Sequence, residues 1–186
     1  MTTPQATGRP ETRQDGEWVV LTRHFDAPLE DVWAAVTDPE RLGRWIGTWT
    51  GNPSSGSVVF RMTAEDGMPE EVHHIEVCEP PRLLRTRARS EGLDGKEHDW
   101  RVEIRLTEDG GGTTLHFGQL LPEPEWAHSI GPGWDYYLDR LTAAETGQDV
   151  AAIDFERDYY PALVDRKSGS AGMPRPSGQS RMPSSA

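Results

Sequence analysis

The segment Glu123–Thr146, EPEWAHSIGPGWDYYLDRLTAAET, decides the fold because it carries a long and regular apolar stripe. Its large apolar residues recur every three or four positions, which predicts one buried face of a helix. These residues are Trp126, Ile130, Trp134, Tyr137, Leu141 and Ala144. Pro132 interrupts the pattern between two glycines. An internal proline costs a helix about 3 kcal/mol, so we expect either a kink there or a helix that begins at Pro132.

The sequence before this helix alternates between apolar and polar residues, as half-buried strands do. In the clearest case, 100–106, large apolar residues alternate with Arg101, Glu103 and Arg105. A loop is predicted at 47–57, a tight turn at 109–112, and two short helices after the first strand. The other predicted strands are Glu17–Phe25, Val58–Met62, Glu71–Cys78, Arg82–Arg89 and Thr113–Leu121.

Short connections between consecutive strands favour antiparallel pairing. A curved antiparallel sheet can bury the apolar stripe of the long helix by wrapping around it. We therefore predict an α+β fold in which such a sheet encloses the C-terminal helix.

Both ends of the chain are polar and poor in large apolar groups, so they cannot offset the entropy of ordering. We predict disordered tails at 1–16 and 166–186 around one domain at 17–165. The second tail has four basic residues and no acidic one, which leaves 15 basic and 31 acidic residues in the rest of the chain. Because this part of the chain has a large excess of negative charge, it repels phosphate backbones, and nucleic-acid binding is not expected.

Composition argues against several further classes. The sequence has no run of 18 apolar residues, so no membrane span is expected. Its polar N-terminus does not resemble a secretory signal. Cys78 is the single cysteine, which excludes an intrachain disulfide framework and a cysteine-rich zinc site. We expect a cytoplasmic protein with no metal site and no cofactor.

Four segments, in this order and spacing, resemble the START-like (SRPBCC) superfamily. They are RHFDAPLEDVWAAVTDPERLGRWI at 23–46, EVCEPPRLL at 76–84, DGGGTTLHF at 109–117 and GPGWDYYLDRL at 131–141. More narrowly, they are similar to the AHSA-like branch, named for the activator of the ninety-kilodalton heat-shock protein ATPase. The resemblance covers Trp18–Gln148. It implies a helix-grip fold with an interior cavity between the sheet and the long helix.

Aromatic and apolar residues on the inner elements are the candidates for lining such a cavity, since small-molecule pockets are mostly apolar. The alternative is that the indoles simply fill a solid core. The predicted ligand-binding residues are Trp45, Trp49, Phe60, Met62, Ile75, Trp100, Phe117, Trp126, Ile130 and Trp134.

Charged residues on the strands leave two questions open. Arg85, Arg87 and Arg89 share one face of a strand, and would bind an acidic ligand if that face were inward or form a solvated stripe if outward. His74, Glu103 and His116 are the candidates for acid–base catalysis, although no known catalytic motif is present and ordinary surface roles are the alternative.

Three functions are therefore considered. The favoured one is binding of a hydrophobic or aromatic metabolite in the cavity. The second is a cyclase- or hydrolase-like enzyme that uses the same cavity. The third, in line with the name of the resembled branch, is a co-chaperone-like domain with a protein partner.

Overall fold

The computed structural model describes residues 6–160. The predicted basic tail at 166–186 lies outside these residues, as does the end of the predicted domain at 17–165. Within the described range, the chain forms an eight-stranded antiparallel sheet, one long helix and several short helices, which confirms the predicted α+β helix-grip fold.

All eight strands belong to one sheet, in the order β1-β2-β8-β7-β6-β5-β4-β3. Each pairing is antiparallel. The strands are β1 Arg9–Arg13, β2 Gly16–Phe25, β3 Gly47–Thr50, β4 Ser57–Met62, β5 Glu71–Glu79, β6 Leu83–Glu91, β7 Glu97–Asp109 and β8 Gly112–Leu120.

The helices follow the predicted order, with two short ones after the first long strand and the long one near the end. The α-helices are α1 Leu29–Thr37, α2 Pro39–Leu42, α3 Ala127–Glu145 and α4 Phe155–Asp158. Short 3₁₀ helices are formed by Pro53–Ser55, Pro124–Trp126 and Val150–Ala152.

The core lies between the inner face of the sheet and α3. Leu21 of β2, Leu106 of β7 and Leu115 of β8 are almost fully buried, as are Leu138 and Leu141 of α3. The predicted turn at 109–112 is a two-residue hairpin loop in which Gly110 and Gly111 both have positive φ. Glycine adopts this conformation without strain, and it matches the twist of the paired strands.

Two segments predicted to lack regular structure form strands. Arg9–Arg13 pairs with β2 as an edge strand, so the predicted disorder of 1–16 is wrong there. Its side chains are mostly exposed, and such a strand shows no apolar alternation in its sequence. The segment Gly47–Thr50 pairs with β4, although it was predicted as a loop.

Pro132 lies inside α3, so the alternative in which the helix begins at Pro132 is wrong. Gly131 and Pro132 are both buried, and Gly131 packs close to Val19 of β2. Burial of this turn against the sheet offsets the backbone hydrogen bond that proline cannot donate.

Candidate functional site

A cavity of about 510 Å³ lies between the inner face of the sheet and α3. Its walls come from α1, α2, strands β3 to β8 and one face of α3. Cavities of 300–1,000 Å³ are typical of small-molecule sites. The fold therefore contains an internal space large enough for a ligand.

Nine of the ten residues predicted to bind a ligand lie on the cavity wall. They are Trp45, Trp49, Phe60, Met62, Ile75, Trp100, Phe117, Ile130 and Trp134. Trp126 is the exception, because its ring stacks against Trp100 at 5.8 Å and meets His98 edge-on rather than facing the cavity. Ligand binding by the nine stays a prediction.

The helix face towards the cavity is formed by Ser129, Ile130, Gly133, Trp134 and Tyr137, which follow the spacing of one helical face. A Cβ atom at Gly133 would have no neighbour within 4 Å other than adjacent residues of its own helix. The helix thus has a glycine where any larger residue would project into the cavity. Space for a ligand depends partly on this missing side chain.

The aromatic wall is held by hydrogen bonds within the protein. The indole N–H of Trp45 donates to the carbonyl of Ala35 at 3.1 Å, and that of Trp49 donates to Thr37 at 2.8 Å. Trp100 donates to the carbonyl of Ser90, and Trp134 donates to the side chain of Gln119. Since these donors already have partners, the rings are fixed and offer mainly apolar surface to a ligand.

One polar patch, formed by Glu71, His73 and Ser90, interrupts the apolar wall. His73 Nε2 lies 3.5 Å from Glu71 Oε2, and His73 Nδ1 lies 3.4 Å from the Thr86 hydroxyl. Hydrogen bonds with His73 and Ser90 lower the pKa of Glu71, although burial opposes this shift. The carboxylate is therefore ionised at neutral pH.

This patch was not predicted from the sequence. His74 and Ile75 were both predicted as candidate site residues, but neighbouring residues in a strand point to opposite faces. Because Ile75 lines the cavity, His73 and Glu71 face inward with it and His74 faces outward. The alternation of side chains along the strand, counted back from Ile75, would have placed His73 and Glu71 on the inner face.

The catalytic candidates His74, Glu103 and His116 do not line the cavity. His74 is exposed on the outer face, close to Arg87 in the neighbouring strand. His116 is on the outer face of β8, and burial together with the charges of Arg9 and Arg105 lowers its pKa. The structure therefore does not bring the three candidates together in one site.

Glu103 belongs to an outer-face ion cluster that it forms with Arg13, Arg85 and Arg105. Its carboxylate is 3.1 Å from Arg13 Nη1 and 3.0 Å from Arg85 Nε, and its side chain is 3% exposed. The guanidinium of Arg13 lies over the fully buried Trp18 ring, 4.3 Å from its centre. Glu103 therefore joins three strands across the outer face of the sheet.

The three arginines of β6 point outward, which answers the question that the sequence left open. Arg85 pairs with Glu103, Arg87 with Glu76, and Arg89 with Glu97.

A bulge in β5 between Ile75 and Val77 changes the alternation of that strand. It places Cys78 opposite Leu84 on the cavity side, so that the single cysteine lines the cavity while remaining exposed.

Glu103→Gln is expected to lower the free energy of unfolding at pH 7 by about 2 kcal/mol, because it leaves Arg13, Arg85 and Arg105 around a neutral group. Burial raises the pKa of Glu103, but the hydrogen bond from Arg85 and the charges of Arg13, Arg85 and Arg105 outweigh it and lower the pKa. A carboxylate whose pKa is lower in the folded than in the unfolded protein stabilises the fold. This stabilisation is fully present above the unfolded pKa of about 4.3, and it is lost as the pH falls through the folded pKa.

The measurement is urea unfolding of both proteins between pH 3 and pH 7. The difference in free energy of unfolding between wild type and Glu103→Gln should become smaller below about pH 4. Glu97→Gln removes an exposed ion pair on the same two strands and should cost less than about 1 kcal/mol. If both variants lose the same free energy of unfolding, the buried carboxylate of Glu103 does not stabilise the fold more than an exposed ion pair does.

Among residues 6–160, no three His, Cys, Asp or Glu side chains converge in a way that could hold a metal ion. None of the helices in that range is both long and apolar enough to pass through a membrane.

Comparison with known proteins identifies the family. The family model described as Activator of Hsp90 ATPase homolog 1-like protein matches residues 26–145. CalU16 from Micromonospora echinospora is 28% identical, with 90% of this chain and 100% of that chain covered and a TM-score of 0.63. DynU16, from the dynemicin biosynthetic locus, is 27% identical, with 72% of this chain and 49% of that chain covered and a TM-score of 0.60.

A further structure, MLL2253 from Mesorhizobium loti, shares the fold at 21% identity, with 71% of this chain and 98% of that chain covered and a TM-score of 0.60. No protein with curated annotation matches the chain. The family model spans more than half of the sequence, in the same region as the four segments that resemble the START-like superfamily. The chain therefore belongs to the Activator of Hsp90 ATPase homolog 1-like family.

Proposed function

We propose that this domain binds one small aromatic molecule in the cavity between the sheet and α3. The observation that carries the proposal is a cavity of about 510 Å³ with a wall rich in fixed aromatic rings. The aromatic lining residues are Trp33, Trp45, Trp49, Phe60, Trp100, Phe117, Trp134 and Tyr137. Flat rings gain contact area and favourable stacking against such walls.

The relatives are in keeping with a small-molecule role. The sequence resembles START-like domains, and DynU16 is a protein of the dynemicin biosynthetic locus. We do not propose catalysis as a second function, because the acid–base candidates from the sequence lie on the outer face. A protein partner stays a prediction from the sequence, because the contacts described above do not bear on it.

The test uses N-phenyl-1-naphthylamine, a probe whose nitrogen is not basic and whose fluorescence rises in apolar surroundings. Titration into the full chain should give saturable binding of one probe per protein and should change the tryptophan emission. Cys78 provides a second readout, because it is the single cysteine and lines the cavity. A bound probe should slow its alkylation by a maleimide.

Unfolded protein in urea serves as the control for non-specific binding and for the intrinsic reactivity of the thiol. If no member of a library of neutral aromatic compounds binds, and the alkylation rate of Cys78 never changes, the proposed function is wrong.

A further inference from the structure

The charged residues of the cavity wall all have the same sign. Glu65, Glu71 and Glu91 line the cavity, and within residues 6–160 no lysine or arginine does so. Arginines are nevertheless abundant on the neighbouring strands, where they pair with outer-face carboxylates. On β6 the arginines therefore face outward, while the charged groups on the described part of the cavity wall are carboxylates.

Glu71 is the carboxylate best placed to meet a ligand. It lies on β5 in the polar patch with His73 and Ser90, and its side chain is 26% exposed. The Nε2 atom of His73 lies 3.5 Å from the Glu71 carboxylate, which is longer than the 2.7–2.9 Å typical of a charge-assisted hydrogen bond, so the two groups do not form a close ion pair.

The same wall carries aromatic faces, which bear negative partial charge and attract cations. An ammonium group that lies between such faces and a carboxylate is attracted by both. This attraction becomes stronger as water is excluded from the cavity. A carboxylate or sulfonate ligand would meet repulsion from the same groups, and the described part of the wall has no arginine or lysine to offset it.

We propose that the ligand is an aromatic amine whose ammonium group is bound by Glu71. This inference rests on the proposed function and specifies its ligand class. The sequence alternative of an acidic ligand depended on inward-facing arginines on β6. Those arginines point outward, so an amine takes the place of that acidic ligand in the proposal.

The experiment is a competition assay with three compounds that share one naphthalene ring. They are 1-naphthalenemethylamine, a cation at pH 7; 1-naphthalenemethanol, its neutral isostere; and 1-naphthoate, an anion. Each compound displaces N-phenyl-1-naphthylamine from the full chain. We expect the amine to bind about tenfold more tightly than the alcohol, as a charge-assisted hydrogen bond implies, and the naphthoate to bind most weakly.

Glu71→Gln should bring the amine and the alcohol to within about twofold of each other, while the affinity for the alcohol stays unchanged. Glu79→Gln is the matched control, because it removes the same charge from an exposed end of β5 and should keep the wild-type preference. Circular dichroism confirms that both variants are folded.

Equal affinity of the wild-type protein for the amine and the alcohol would overturn the inference and leave the proposed cavity function standing. That measurement needs no variant, so it remains decisive even if Glu71→Gln is unstable. A wild-type preference that Glu71→Gln leaves intact would also overturn the assignment to Glu71. Absence of binding by all three compounds and by the neutral probe would overturn both proposals.

Discussion

Gly133→Phe is expected to abolish binding of N-phenyl-1-naphthylamine, with a loss in affinity of at least about 100-fold, as occlusion of an apolar site implies. Gly133 lies on the cavity face of α3, and a Cβ atom there would enter open space. A phenyl ring at this position would occupy the volume that the probe needs, and it would pack against the aromatic wall. Titration of the variant with the probe measures the effect.

Gly133→Ala is the matched control for this variant. Alanine adds one methyl group, and it should stabilise the helix by about 0.5–1 kcal/mol because glycine is a poor helix former. Probe affinity should then change little while the melting temperature rises. If Gly133→Phe folds and binds the probe as wild type does, the probe is bound elsewhere and the cavity is not the site.

Arg23→Met is expected to lower the free energy of unfolding by about 3 kcal/mol, since it leaves a buried carboxylate without its cationic partner. Arg23 Nη2 lies 2.9 Å from Asp135 and 3.0 Å from Asp139, and the side chain of Asp135 is only 1% exposed. Asp135 also accepts a hydrogen bond from the backbone N–H of Thr7, and Asp139 accepts one from the Tyr159 hydroxyl at 2.6 Å.

This network joins β2, α3, the N-terminal segment and the residues after α4, so its loss should loosen all four. Burial and the hydrogen bond to Asp139 raise the pKa of Tyr159, which keeps its hydroxyl protonated as the donor. Urea unfolding of Arg23→Met and of Arg44→Met, an exposed arginine, provides the comparison. The Arg44 variant should stay within about 0.5 kcal/mol of wild type; similar losses in both would argue against the network.

The inner and outer faces of β7 could be predicted from the sequence, because period-two alternation is strong there, whereas for β6 the sequence left the direction of the arginine face open. Trp100, Val102 and Ile104 line the cavity, as their spacing indicates, and the intervening charged residues face outward. On α3, helical spacing identified Ile130 and Trp134 as inward-facing. It did not exclude Trp126, which precedes the α-helix in a 3₁₀ turn with a different periodicity.

The features that could not be predicted depend on pairing between distant segments. The bulge in β5 changes which residues face the cavity, and nothing in the sequence around Glu76 marks it. Strand β1 is polar and becomes ordered by backbone hydrogen bonds to β2, which composition does not reveal. The cavity volume also depends on packing between the sheet and the helix, so the sequence provides its lining but not its size.

The strand order determines when during synthesis the sheet can close. From β3 to β8, neighbouring strands are also consecutive in the chain, so they can pair as they leave the ribosome. In contrast, β2 must wait for β8, as the pairing of Trp18 with Leu120 shows. Closing so long a loop is slow, and we expect a nascent chain shorter than about 120 residues to expose the apolar side chains of β2 to aggregation.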